Sequence, residues 1–393
     1  METEYTYLLH LLGAYLREEE PEAPGEIDWE KMIQLAQIHC VTGILGYMSM
    51  KYPICPDAEM KASLRKTCLN TIALFARRNA LAETMVAELE KAGIDHILMK
   101  GYVLRDYYPV PELRTFGDID IVIRSEDRQR SHELMLALGY HVETDWEPVF
   151  SYAGNQELYE IHADIMEIDV SEKADYRAYF QQMWRYARPV SGHSYRFTPE
   201  FHFLYMLTHI AKHIHGSGAG ARMYLDVAAF LRRCGGEADW NWICAQLKEL
   251  KLYDFASVVL TAVEEWFGVA SPMSCRPIER EVMEEFRTFT MEAGVFGHHQ
   301  RQGALAELKH TNQAESAPRM RQLLRRTFPA AETIQTRYTY LQRRPWLLPV
   351  AWVHRLVKTR DSLGKHAREA QEILSADSAE IQRLRKLTKD IGL

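Results

Sequence analysis

The stretch Ile94–Ile123, IDHILMKGYVLRDYYPVPELRTFGDIDIVI, decides how the rest of the chain is read. Ile94, Ile97, Leu98 and Met99 form a short apolar run of the kind that fills a buried strand, and the run ends in Lys100-Gly101. A short helical segment and a proline-containing loop follow, and Gly117-Asp118-Ile119-Asp120 then opens a second strand. Residues two apart on a strand project to the same face, so Asp118 and Asp120 aim two carboxylates at one place while Ile119, Ile121 and Ile123 point to the other. Like charges held that close need a cation. Oxygen donors of this kind suit a hard divalent ion, and Mg²⁺ is the expected one, sharing its coordination with substrate phosphates.

The residues around the pair admit two readings each. Gly101 opens a helix, where backbone N–H groups and the dipole favour phosphate, and Lys100 supplies a point charge beside it. A plain strand-to-helix turn would use the same two residues; the Asp pair downstream tips the balance toward phosphate. Arg114, four residues before Asp118, is either an ion-pair partner of the carboxylates or a phosphate clamp. A further strand is expected over Leu158–Met166, LYEIHADIM, where Glu160, His162 and Asp164 alternate with Ile161, Ala163 and Ile165.

Lys100-Gly101, a helix with Tyr107-Tyr108-Pro109, and Leu113-Arg114-Thr115-Phe116-Gly117-Asp118-Ile119-Asp120 together resemble the signature of the polymerase-beta-like nucleotidyltransferase superfamily. More narrowly they are similar to a bacterial branch with a KG…LR…GDID core. The tight match runs from about residue 94 to 170 and a looser one to about 355. The resemblance implies an α+β fold, with a small mixed-sheet core set between all-helical N- and C-terminal regions. It implies Mg²⁺-dependent transfer of a nucleoside monophosphate from an NTP to a hydroxyl acceptor, with release of pyrophosphate. In that family a third acid lies in a string that Tyr159-Glu160-Ile161-His162 fits, so Glu160 is expected to complete the metal and catalytic set with Asp118 and Asp120, with Asp164 in reserve. Nucleotide binding is expected from Lys100, Gly101, Arg114 and Gly117. His162 is expected to orient the acid, contact nucleotide or be a plain hydrogen-bonded histidine. No motif selects a small molecule, a protein or RNA as acceptor, and none selects a base.

The flanks read as helices, which divides the chain into residues 1–90, the core at 91–170 and a helical domain at 171–393. Asp28 is expected to cap one N-terminal helix, and a long helix is expected from about Ala58 to Lys91. Beyond residue 171 the chain is expected to return to helices. There Phe201–Ile214 carries His209 and His213 at i, i+4, open to three readings: a transition-metal site, a substrate-facing pair or packed, hydrogen-bonded histidines. No H-E-x-x-H pattern or third ligand spacing accompanies them. Arg222 is a further substrate-facing candidate, or simply pairs with Asp226 along one helix. Between Pro318 and Lys365 basic residues far outnumber Glu332 and Asp361 and interleave with Tyr338, Tyr340, Trp346 and Trp352. That segment suits an acidic partner or RNA, or solvated helix faces beside a buried aromatic seam.

The 393 residues suit two or three domains, and a net charge of −7 argues against wholesale wrapping of nucleic acid. The six cysteines are scattered without metal-like spacing, as expected for free thiols in a reducing compartment. The N-terminus lacks the features of a signal peptide, and the longest apolar run, Trp346–Val353, is too short to cross a membrane. A cytoplasmic protein without a membrane partner is therefore expected. Two rivals stand beside the enzyme reading: a non-catalytic nucleotide- or protein-binding module on the same fold, and a metallohydrolase built on His209 and His213.

Overall fold

A computed structural model describes residues 2–55, 57–146, 149–166, 170, 173–216, 218–294, 328–334, 338, 340–358 and 378–393. They fall into two compact units, one of Met1–Ile214, Gly218–Gly297 and Ile391–Leu393, the other of His215–Ser217 and His298–Asp390.

In the first unit helices α1 (Glu2–Arg17), α2 (Trp29–Ile38) and α3 (Thr42–Lys51) precede α4 (Ala58–Lys91), a helix of 34 residues. Asp28 caps α2 by accepting from the Lys31 N–H, and Asp57 caps α4 through Met60. Strand β1 (His96–Leu98) leads into the short helix α5 (Gly101–Leu104), and β2 (Ile119–Ile123) follows. After α6 (Arg128–Ala137) come β3 (His141–Trp146), β4 (Val149–Gly154) and β5 (Glu157–His162). Then α7 (Tyr176–Phe180), β6 (Ala187–Ser191) and β7 (Ser194–Phe197) lead to α8 (Pro199–Gly216), α9 (Ala221–Cys234), α10 (Trp240–Glu249), α11 (Tyr253–Phe267) and α12 (Arg280–Ala293). The fold is α+β: a seven-stranded mixed sheet with helical flanks, in the order β3-β4-β5-β2-β1-β7-β6.

Alternation along the strands sorts the two faces of this sheet. Ile119, Ile121 and Ile123 of β2, Tyr159 and Ile161 of β5, and Phe150 and Tyr152 of β4 bury themselves against Ala82, Met85 and Leu89 of α4 and Met135 of α6. The C-terminal half of α4 therefore covers that face, and the residues between these positions turn to the other. Its N-terminal half lies close against α3: a Cβ on Gly46 would run into the Leu64 carbonyl and the Cys68 side chain.

The region expected to be helical from residue 171 contains a hairpin, β6–β7, instead. Gly192, at φ 51°, makes the tight turn, and β7 pairs in parallel with β1 through His96↔Ser194 and Ile97↔Tyr195. The two strands are short, and what holds them is pairing with a strand about a hundred residues earlier, which local periodicity does not register.

The second unit contains Tyr340–Arg343, Leu348–Lys358 and Ser378–Asp390 as helices. Tyr338 is buried there with Ile334, Leu341 and Ala351, an aromatic seam of the kind anticipated for the basic segment, while Trp346 is 70% exposed. Arg325 and Arg326 lie outside the described residues, as does most of the glycine- and histidine-rich connector after Gly294. No helix among the described residues is long and apolar enough to cross a membrane.

Ile121 is fully buried at the centre of β2. Ile121→Ala is expected to cost about 2–5 kcal/mol of unfolding free energy, read as a lower urea midpoint at constant m-value. A shift equivalent to less than about 1 kcal/mol would show that this strand is not the packing centre.

Candidate active site

β2 and β5 run parallel with Asp120 opposite Glu160 and Val122 opposite His162. That register sets Asp120, Glu160 and His162 side by side on the sheet face that α4 leaves uncovered. Their ligand atoms lie within 4.8 Å of one another, and among the described residues they are the only such group of three or more. His162 Nε2 is 2.8 Å from Asp120 Oδ1 and 3.5 Å from Glu160 Oε2. Lys100 reaches the same spot from the end of β1: its Nζ donates to Asp120 Oδ1 and lies 3.8 Å from Glu160 Oε2. Two carboxylates and an imidazole nitrogen form a donor set that fits a divalent ion.

The charges leave their mark on protonation. Burial alone would raise the pKa of Asp120, but Lys100 and the His162 hydrogen bond outweigh it and hold the carboxyl well below its usual range. Burial would lower His162, yet its hydrogen bonds to Asp120 and Glu160 raise it. Among the described residues its buried Nδ1 has no hydrogen-bond partner, so the bonded nitrogen is the one turned to the carboxylates. Asp118, just before β2, stays outside the group of three. Burial, with the Asp120 and Glu160 charges adding to it and Lys100 opposing, pushes its carboxyl up to about 6.

Lys100 stands at φ 48°, ψ −126°, a region that suits glycine. Holding a side chain there costs on the order of 1–3 kcal/mol. Gly101 has no such φ; a Cβ there would strike the Arg114 guanidinium and the Phe116 ring, so close packing demands the glycine. The helix it opens has only four residues, too few to build the dipole expected for phosphate binding. Beside Gly117 a Cβ would meet nothing within 4 Å, which leaves open space next to the acids.

Arg114 faces a carboxylate, but it belongs to Asp226 on α9. Nε and Nη2 of Arg114 bind Oδ1 and Oδ2 of Asp226 at 3.0 and 2.6 Å, and the Tyr108 hydroxyl donates to Oδ1 at 2.7 Å. Burial would lower the arginine's pKa, and Asp226 more than offsets it. Arg222 leaves its helical neighbour Asp226 to this pair and donates through Nη1 to the Thr115 carbonyl (2.9 Å) and hydroxyl (3.0 Å). Among the described residues its buried Nε has no partner, and burial together with the Arg114 charge lowers its pKa. One guanidinium thus holds the Asp226 carboxylate, and the other is held by Thr115.

On α8 the Nε2 atoms of His209 and His213 lie 3.1 Å apart, and His209 stacks on Tyr205. Burial lowers both, His213 to about 4, and the Lys100 charge pushes the same way. Among the described residues no third ligand joins them to make a metal site. Asp164 lies past the end of β5 and turns away from the group of three, accepting from the Met166 N–H (3.2 Å) and Gln181 Nε2 (3.2 Å). The parts that residue reading missed are Tyr108 and Asp226 as the clamp on Arg114. An intrahelical i, i+4 spacing had pointed Asp226 at Arg222 instead.

A protein family described as uncharacterised nucleotidyltransferase matches residues 25–268, which include every residue of this site. No curated protein and no solved structure matches the chain.

Asp226→Ala strands the buried Arg114 guanidinium and is expected to cost about 3–5 kcal/mol by chemical denaturation. A loss under about 1 kcal/mol would place the pair in an exposed, screened setting. Asp118 gives a pH signature. Its folded pKa of about 6 lies above the ordinary 3.8, so its contribution to stability is present below the lower value and lost as pH rises through the higher. Across that window the stability of the metal-free wild type should fall with rising pH more steeply than that of Asp118→Asn, which lacks the titrating group; identical pH profiles would contradict the shift.

Proposed function

The chain belongs to the uncharacterised nucleotidyltransferase family, and from that membership we propose that it moves a nucleoside monophosphate from an NTP to a hydroxyl acceptor, releasing pyrophosphate. The observation that carries this reading is the parallel register of β2 and β5, which lines up Asp120 with Glu160 one step from Asp118 and opposite Lys100.

Asp118, Asp120 and Glu160 would hold Mg²⁺, with His162 bracing the Asp120 carboxylate. Bound there, the metal supplies Lewis-acid polarisation of the phosphoryl group and neutralises charge on the attacking and leaving oxygens. Glu160 is the more exposed of the paired strand acids, at 25% for its side chain against 2% for Asp120. It is therefore the group placed to accept the proton of an incoming hydroxyl. Lys100, the Gly101 amide and the open space beside Gly117 suit the triphosphate. Arg114 is engaged by Asp226, so its part is to fix the loop Thr115–Gly117 that delivers the acids. Arg222, one carboxylate short of balance, is better placed to favour negative charge on the departing phosphates. His209 and His213, kept neutral by burial, offer N–H donors on the α8 side.

Asp120→Asn and Glu160→Gln are expected to lower Mg²⁺-dependent NTP turnover by roughly 10²–10⁴-fold while the circular dichroism spectrum stays that of wild type. Full turnover in Asp120→Asn would sink the assignment. Calorimetric NTP binding by the wild type without pyrophosphate release, across a broad panel of acceptors, would instead establish a binding module on this fold.

A further inference from the structure

We propose that Lys100 is a resident counter-cation of the acid group, standing where the divalent ion binds and leaving when the ion arrives. The inference rests on the reading of Asp118, Asp120 and Glu160 as a metal site braced by His162, and it concerns the charge that balances Asp120 and Glu160 before the ion binds. Lys100 Nζ donates to Asp120 Oδ1, the same oxygen that faces His162 Nε2, and lies 3.8 Å from Glu160 Oε2. A divalent cation brought to that oxygen would meet the ammonium already beside it, and the two positive charges repel. Without either, two carboxylates would face each other with only one imidazole to balance them.

The backbone carries an independent sign of the same arrangement. Lys100 is held at φ 48°, ψ −126°, where glycine would be relaxed, with no side-chain capping bond at that position. The ion pairs offset part of the cost of that conformation. Displacing the ammonium therefore withdraws that compensation along with the charge. Freed, the flexible four-carbon stem can turn its charge toward the open space beside Gly117. Loading of the ion and capture of the triphosphate then become successive uses of one side chain. Lys100 is in this sense a positioning residue, acting on metal occupancy before it meets substrate.

Lys100→Met keeps the strain and removes the charge; Lys100→Gly removes both. Mg²⁺ is titrated alone, without nucleotide, by isothermal calorimetry and by thermal shift on the full chain. Metal-free, both variants should melt below wild type, Lys100→Met lowest. Both should bind Mg²⁺ about tenfold more tightly or better, a gain of about 1.4 kcal/mol, and show a larger ion-induced rise in Tm than wild type. A lysine that is merely structural would lower Tm equally with and without the ion, and that result overturns the proposal. Unchanged or weaker Mg²⁺ binding in both variants overturns it too. Should neither wild type nor variants bind any divalent ion, the metal reading itself falls and the proposal with it, a result distinct from binding that ignores the lysine.

Discussion

Asp120 and Glu160 are neighbours because β2 and β5 run parallel in one register, and like charges in a recess require a cation. Much of the surrounding structure answers that requirement. Lys100 arrives from the end of β1 in a backbone conformation that few side chains tolerate, and His162 closes on Asp120 from the next position on the acid face of β5. The opposite face has no such demand, and α4 covers it with aliphatic side chains. Chemistry and core are thus separated by the pleat of a single sheet.

A second charge arrangement secures the approach to the acids. The loop between α5 and β2 is tied to α9 by the Arg114–Asp226 fork, with Tyr108 adding a third bond, and to Arg222 through Thr115. Thr115 also donates to the Cys40 carbonyl at the end of α2. Two distant parts of the chain, α9 and the end of α2, therefore fix where Gly117 and Asp118 lie. Breaking a buried pair of this kind leaves an uncompensated charge, so the Arg114–Asp226 fork holds in place a segment whose own regular structure is two short 3-10 turns, Arg105–Tyr107 and Pro111–Leu113.

Local chemistry made part of this visible in the sequence. Asp28 marks the start of α2 through a side-chain acceptor, a property of one residue and its neighbours. The strand carrying Asp120 declared itself by the alternation of Asp118 and Asp120 with Ile119, Ile121 and Ile123. What stayed hidden depends on partners far away in the chain. The β6–β7 hairpin is short and is held by pairing with β1; Asp226 chose Arg114 over the arginine one turn before it on its own helix. Strict alternation also carried the β5 pattern four residues too far, from His162 to Met166, and Asp164 in that stretch turns to Gln181.

Parallel pairing of β1 with β7 has a consequence for how the protein is made. Ribosomal synthesis delivers Lys100, Asp120, Glu160 and His162 well before the hairpin at 187–197 emerges, and Asp226 follows later still. In that interval β1 has one bare edge and Arg114 has no counter-charge. The nascent acid pocket must wait, partly assembled, for its supports to leave the exit tunnel, and its closure is bound to the slow, long-range steps of folding.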